Sequence, residues 1–352
     1  MTAVVGFVNA HTHLYSGLVP LGMPPPALAP ASFIEILERV WWRLDRALDH
    51  DTLRAAARLY VAEALLNGTS TLADHHESPQ CIEGSLDVVA DACAELGARA
   101  VVCYGATERN GGEREARRGL AECRRFILSN RRLLVRGMVG LHASFTVSDD
   151  TIRQAGDLCR DLGTALHVHV AEDVADVDDA RRRGYRGPVE RLHELGALVP
   201  GSILAHGVHA DLEAVQLAAD AGCWFVQNPR SNAHNRVGYP KHLAVTTHVA
   251  LGTDGFPADM LAELDGLREE GRRAGEDETA LEGRLSAGHR LAEAIFGPGA
   301  SDAAAGSTRP PSLDVCGHRV VAHGQLLTAD IATIREDARV NADRLWTRMR
   351  EL

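Results

Sequence analysis

The sequence predicts a (β/α)₈ barrel, and three observations carry that expectation. Short apolar runs recur eight times along the 352 residues. Most are unbroken rather than alternating, as strands buried on both faces of a parallel sheet should be. Amphipathic helical patterns separate them, which is the strand–helix alternation of an α/β fold. An open doubly wound sheet is the competing architecture, but no glycine-rich phosphate loop follows the first run.

The runs, in order, are `AVVGFVNA` (3–10), `TSTLAD` (69–74), `RAVVCYG` (99–105), `LVRGMVGLH` (134–142), `TALHVHVA` (164–171), `SILAHG` (202–207), `CWFVQN` (223–228) and `THVALGTD` (247–254). Between them, `DTLRAAARLYVAEALLNG` (51–68) has apolar residues at helical spacing and ends at Asn67-Gly68, a C-cap signal. `SLDVVADACAELGA` (85–98) and `SDDTIRQAGDLCRDLG` (148–163) behave alike, the second with Ser148, Asp149 or Asp150 as N-cap. `DLEAVQLAADAG` (211–222) repeats the scheme with Asp211 as the cap.

We divide the chain into a barrel over 1–296, a Gly/Ala/Ser/Pro linker over 297–312, and a tail over 313–352 with a hairpin (314–327) and a final helix (331–352). The Pro-rich `PLGMPPPALAP` (20–30) reads as a lid over the first strand's end, and `WWRLD` (41–45) as core.

Composition narrows the function classes. A net charge of −11, with Lys241 as the single lysine, argues against nucleic acid or an anionic membrane surface as partner. Seven cysteines without a CxxC pair fit a reducing compartment. No apolar run reaches about 18 residues and the start has no signal-peptide pattern, so the expected location is the cytoplasm.

In such a barrel the chemistry sits at the C-terminal ends of the strands. Reading those ends gives His11 and His13, His75 and His76, Tyr104, His142, His167 and His169, His206, Asn228 and Asp254. A single histidine at a strand end is usually packed or solvated, but five of eight strands ending in one ligand type is hard to dismiss. Residues i and i+2 of a strand face the same side, so His11 and His13 can address one ion together. Imidazoles with a carboxylate, and no thiolate, suit Zn²⁺ or Fe²⁺ with a position left open for water.

The ordered stretches `NAHTH`, `HVHVAED`, `LAHGVH`, `NPRSN` and `LGTDG` resemble the amidohydrolase superfamily, in its cytosine deaminase, guanine deaminase and chlorohydrolase branch. `FIEILERVWWRLDRAL`, `NGTSTLADHHESP`, `GLHASFTVSD`, `NPRSNAHNRVGYP` and `DRLWTRMREL` are similar to the SsnA-type aminohydrolases. The likeness runs from about 4 to 296 and returns at about 320 to 352. It implies a metal-dependent hydrolase that deaminates an amino-substituted heterocycle (a purine, pyrimidine, pterin or relative) with a metal-activated water.

By that resemblance His11, His13, His169 and Asp254 would bind the metal, Glu172 would shuttle the proton to the ring nitrogen, and His206 would contact the attacking water. Asp254 would also pass the water's proton toward the leaving ammonia. His167 shares the face of His169, and the sequence leaves open which of them is the ligand. His142, His75, His76, Arg109 and Asn228 are the candidate substrate contacts; Arg109 would suit a carboxylate or phosphate or equally be a solvated loop residue, and Asn228 with Asn232 is better read as bracing the seventh loop. Two-metal members of the superfamily usually carry a bridging lysine on the fourth strand, and `LLVRGMVGLHASF` has none, so one divalent ion per subunit is expected, Zn²⁺ ahead of Fe²⁺.

Family members also carry a β-sandwich beside the barrel, of which only fragments are expected here; the apolar surface it would cover suggests a homo-oligomer. The partner is a small-molecule substrate. Two rival readings stand: ring opening or dechlorination of a related cyclic substrate by the same site, and a non-catalytic binding protein on a decayed barrel. The second predicts a missing ligand or shuttle, and none is missing.

Overall fold

A computed structural model of the chain describes residues 6–300 and 308–352. Residues 3–5 of the expected first strand and 301–307 of the expected linker lie outside the described residues.

Eight parallel strands form one sheet that curls into a barrel: β1 (Phe7–Thr12), β2 (Thr69–His76), β3 (Arg99–Ala106), β4 (Val139–Ala143), β5 (Leu166–Val170), β6 (Ile203–His206), β7 (Trp224–Gln227) and β8 (Val249–Leu251). A short segment, Val135–Gly137, precedes β4 and pairs with β3, so the expected fourth strand is broken at Met138. β1 and β8 close the ring through a parallel bridge between Thr12 and Asp254, where the Asp254 N–H donates to the His11 carbonyl. The expected (β/α)₈ architecture is therefore the one observed.

The helices follow their sequence signals. The helix His50–Leu66 is capped by Asp49, whose side chain accepts from the Thr52 N–H, and stops at Asn67 before a left-handed Gly68. Ser148 caps Asp149–Leu162 and Asp211 caps Leu212–Asp220, as their positions suggest. On the inner face, Ala73 lies two residues before His75, and Val101 and Cys103 precede Gly105. These small and medium side chains join Met138, Ile203 and Val226 in one buried cluster.

The tail builds a three-stranded sheet, β9 (Leu313–Val315), β10 (His318–Ala322) and β11 (Gln325–Leu326), where a single hairpin was expected. The final helix Ile331–Glu351 packs on the helix His50–Leu66, and its Trp346 indole N–H donates to the Leu21 carbonyl. No described helix is long and apolar enough to cross a membrane.

Candidate metal centre and active site

Three strand ends, those of β1, β5 and β8, bring four side chains to one point. His13 Nε2 lies 2.8 Å from Asp254 Oδ1 and 3.3 Å from His169 Nε2, and His11 Nε2 lies 3.4 Å from the same carboxylate oxygen. Each offers one ligand atom within 4.8 Å of the others. Behind this group the second ring nitrogens are held. His13 Nδ1 sits 2.5 Å from the His75 carbonyl and His169 Nδ1 2.5 Å from the His142 carbonyl. A carbonyl only accepts, so both rings donate through Nδ1–H and turn Nε2, the nitrogen left to meet an ion, inward. His11 Nδ1 meets His167 Nε2 at 2.8 Å. His167 thus stands behind His11, and the side chain brought into the group is His169.

The donor set fits a divalent cation. Three imidazole nitrogens and one carboxylate suit Zn²⁺ or Fe²⁺. His11 Nε2 is buried with no hydrogen-bond partner among protein groups, a cost that an ion would remove.

Electrostatics divide the two central carboxyls. Burial opposes ionisation of Asp254, yet its hydrogen bonds to His11 and His13 hold it well below the usual carboxylate range. Burial and then the charge of Asp254 push Glu172 well above its usual range. Burial drops His11 to about 3; His13 reaches about 9 because its bond to Asp254 outweighs burial. Burial also pushes His169 and His206 below the ordinary imidazole value.

Glu172 follows β5. Its Oε2 is 3.5 Å from His206 Nε2, and Asn235 Nδ2 donates to its Oε1 at 3.4 Å. His206 Nδ1 is tied to Asn232 Oδ1 at 2.8 Å, and the Ser231 hydroxyl donates to Asp254 Oδ2 at 2.5 Å. The short helix Pro229–Asn235, which grows from `NPRSN`, therefore steadies all three site residues. Ala171, His206 and Asp254 adopt left-handed backbone angles (φ +50°, +76° and +53°), unfavourable for non-glycine residues and concentrated at this mouth. Asp176 Oδ2 accepts the Ala171 N–H at 2.7 Å and holds the turn that aims Glu172.

A polar network locks the barrel seam. Asn9 Nδ2 donates to Thr253 Oγ1 at 2.7 Å while its Oδ1 accepts the Thr253 N–H at 3.0 Å; the Tyr60 hydroxyl bridges Thr253 and Thr12. Gly252 lets the last strand approach this closely, since a Cβ there would strike the backbone of His11. Asn9 and Thr253 belong to `NAHTH` and `LGTDG` yet had no role in the sequence reading.

A cavity of about 610 Å³, its mouth included, opens over this centre. The site residues His13, His169, Glu172 and Asp254 line it, with His142. Its outer wall is the helical segment of Phe33–Ile36, Leu37–Trp41 and Trp42–Ala47, whose middle part is wound as a π-helix, a feature common at functional sites. Trp41, Trp42 and Asp45 line the cavity from it while Leu44 lies in the core, so `WWRLD`, read as core alone, also supplies cavity wall. The Pro-rich 20–30 segment does not line the cavity, so the lid expected there is replaced by this helical wall.

Four expected substrate contacts are also placed elsewhere. His75 and His76 do not line the cavity; His75 bonds to the Leu141 carbonyl and Glu77, and His76 to Ser78. The lining residue of that stretch is Glu77. Arg109 is turned into Asp45 (2.8 Å) and lies over the Trp42 ring at 4.8 Å, away from the lining. Asn228 begins the bracing helix and donates to the Val226 carbonyl. Packing decides each case: an arginine beside a buried carboxylate pairs with it before any ligand arrives.

A parallel barrel with imidazoles and a carboxylate converging at its C-terminal mouth defines a class of protein: a barrel with a metal-type site. The chain belongs to the amidohydrolase family, whose description it matches over residues 2–295. It is 31% identical over 272 residues to the 5′-deoxyadenosine deaminase of Methanopyrus kandleri, covering 74% of this chain and 59% of that protein. It is 30% identical to the 8-oxoguanine deaminase of Pseudomonas aeruginosa, covering 74% of this chain and 61% of that one. The chain thus spans about three fifths of the length of these curated relatives. The fold is shared with an adenosine deaminase from Xanthomonas campestris with bound zinc (TM-score 0.77, 21% identity, 97% of this chain and 85% of that one). It is also shared with an atrazine chlorohydrolase from Arthrobacter aurescens complexed with zinc (TM-score 0.76, 20% identity, 96% and 88%).

Proposed function

We propose that this chain hydrolyses the exocyclic C–NH₂ bond of an amino-substituted heterocycle and releases ammonia. The observation that carries the reading is the meeting of three imidazoles and Asp254 beside Glu172 on the floor of an aromatic-walled cavity. The deaminase names of the relatives support it.

His11, His13, His169 and Asp254 would hold one divalent ion per chain, with Zn²⁺ ahead of Fe²⁺ on the donor set and on the zinc named with the two solved structures. Such an ion supplies Lewis acidity, which can lower the pKa of a water from 15.7 to about 7. The remaining steps belong to the protein. His206 Nε2 faces Glu172 and orients the attacking water; its Nδ1 is fixed by Asn232. Asp254, held ionised, takes a proton from that water as its oxygen bonds to the ring carbon. Glu172, pushed toward its protonated form by burial and the charge of Asp254, gives its proton to the adjacent ring nitrogen. The carbon–nitrogen bond then breaks as the new hydroxyl becomes the ring carbonyl and returns its proton to Glu172, and the proton on Asp254 leaves with the nitrogen as ammonia. Each proton transfer is worth on the order of 10²–10⁴ in rate. Trp41, Trp42 and Phe145 give a flat ring apolar walls to pack on.

The test is ammonia release by zinc-supplemented protein across aminopurines, aminopyrimidines and pterins, with Asp254→Ala as control. Ammonia from at least one ring, abolished in the control, is expected. No ammonia from any ring, or ammonia that survives in the control, would contradict the reading.

A further inference from the structure

The cavity walls present carboxyl groups without a lysine or arginine among the described lining residues. The carboxyls are those of Asp45, Glu77, Glu172, Asp176 and Asp254. Glu172 and Asp254 belong to the proposed chemistry. Asp176 holds the Ala171 turn, while Asp45 and Glu77 are buried and take no part in that chemistry.

The buried guanidiniums around the cavity are already paired. Arg109 donates through Nη2 to Asp45 Oδ2 and through Nε to Thr107, with its face against Trp42. Arg191, fully buried, is saturated by Asp149 and the carbonyls of Ser144 and Val147. His75 Nε2–H donates to the Leu141 carbonyl at 2.9 Å, and its Nδ1 lies 2.7 Å from Glu77 Oε1. Glu77 is thereby held in place between β2 and the cavity. Gly105, opposite on β3, leaves the room: a Cβ there would strike Glu77 and His75.

We propose that the cavity takes an uncharged or cationic heterocycle bearing N–H or O–H donors, that it rejects substrates carrying a phosphate or carboxylate, and that Glu77 is a wall residue setting this preference. This rests on the deaminase reading. An anionic group entering away from the metal centre gives up its water and meets acceptors where it needs donors. An amino or hydroxyl group in the same place meets a fixed carboxylate, a charge-assisted partner.

The experiment uses the full zinc-supplemented chain and matched pairs: adenosine against its 5′-monophosphate, and pterin against its 6-carboxylate. Ammonia release gives kcat/KM for each member, and calorimetric titration gives its Kd. The wild type should favour the uncharged member of an accepted pair by at least about 100-fold, because like charges brought together in a desolvated site cost several kcal/mol. Glu77→Gln should narrow that ratio roughly tenfold, the equivalent of about 1.4 kcal/mol. Equal or better use of the anionic member overturns the charge preference. An unchanged ratio in Glu77→Gln, at wild-type melting temperature, overturns the assignment to Glu77. If no member of either pair releases ammonia, the deaminase reading loses its support, and the binding data still decide: tighter binding of the anionic members overturns the charge preference.

Discussion

His11 and His167 meet nitrogen to nitrogen, with Nδ1 of one 2.8 Å from Nε2 of the other and both rings buried. Turning His11 Nε2 toward Asp254 as a lone pair requires its proton on Nδ1, so His167 serves as the acceptor that orients His11. Removing such a partner typically weakens metal affinity about 10–100-fold. His167→Ala should therefore bind zinc about that much more weakly, measured by competition with a chelating dye, while His169→Ala should retain none after dialysis. The opposite pattern would exchange the two roles.

Glu172 is the residue whose replacement separates proton transfer from metal binding. Glu172→Gln keeps the shape and the contact to Asn235 but cannot give up a proton. Turnover should fall by at least about 10², with zinc content by elemental analysis near wild type. Near-normal turnover would remove Glu172 from the proton path.

Much of this centre was legible in the sequence, and the rest was hidden for identifiable reasons. The `HTH` and `HVH` stretches sit at strand ends, where the two-residue period puts alternate histidines on one side. The same rule applied to `DHHE` places His75 and Glu77 together and turns His76 away; reading residue type ahead of period selected the histidines instead. Asn9 and Thr253 are 244 positions apart, and only closure of the barrel brings them together. `WWRLD` has the spacing of a core helix, and local pattern does not say that one buried face looks into a cavity. Arg109 was misplaced because nothing near it in the sequence announces Asp45.

Gly105→Ala tests the fit between β3 and the end of β2. The added methyl meets Glu77 and His75, neither of which has free space, and overpacking of this kind costs about 1–3 kcal/mol. Chemical denaturation should show a loss in that range, together with an altered preference between the matched substrates. A loss below about 0.5 kcal/mol, the usual scatter of neutral changes, would mean that β3 and Glu77 relax apart at little cost.

Asp49 couples the final helix to acid stability. It caps the helix His50–Leu66 and pairs with Arg348, which also donates to Thr52 at 2.9 Å. Burial works against ionisation, but the Arg348 guanidinium and the Thr52 N–H hold the carboxyl well below its ordinary value. A depressed folded-state pKa gives stability that is complete above the unfolded value near about 3.9 and is lost as pH falls toward the folded one. The pair is partly exposed, so Arg348→Ala should cost about 1 kcal/mol or less at pH 7. In urea unfolding that deficit should shrink once the pH drops below about 4. A deficit independent of pH would place the contribution of Arg348 in packing alone.

The central claim is that His11, His13, His169 and Asp254 hold a single catalytic ion. It is tested most directly by stripping the protein with a chelator, returning zinc in measured steps, and following ammonia release on the best substrate of the screen. The account predicts activity that rises linearly and saturates at one zinc per chain, and that stays at background in Asp254→Ala. Activity that needs a second zinc to appear, or that persists undiminished in the stripped protein, would contradict it.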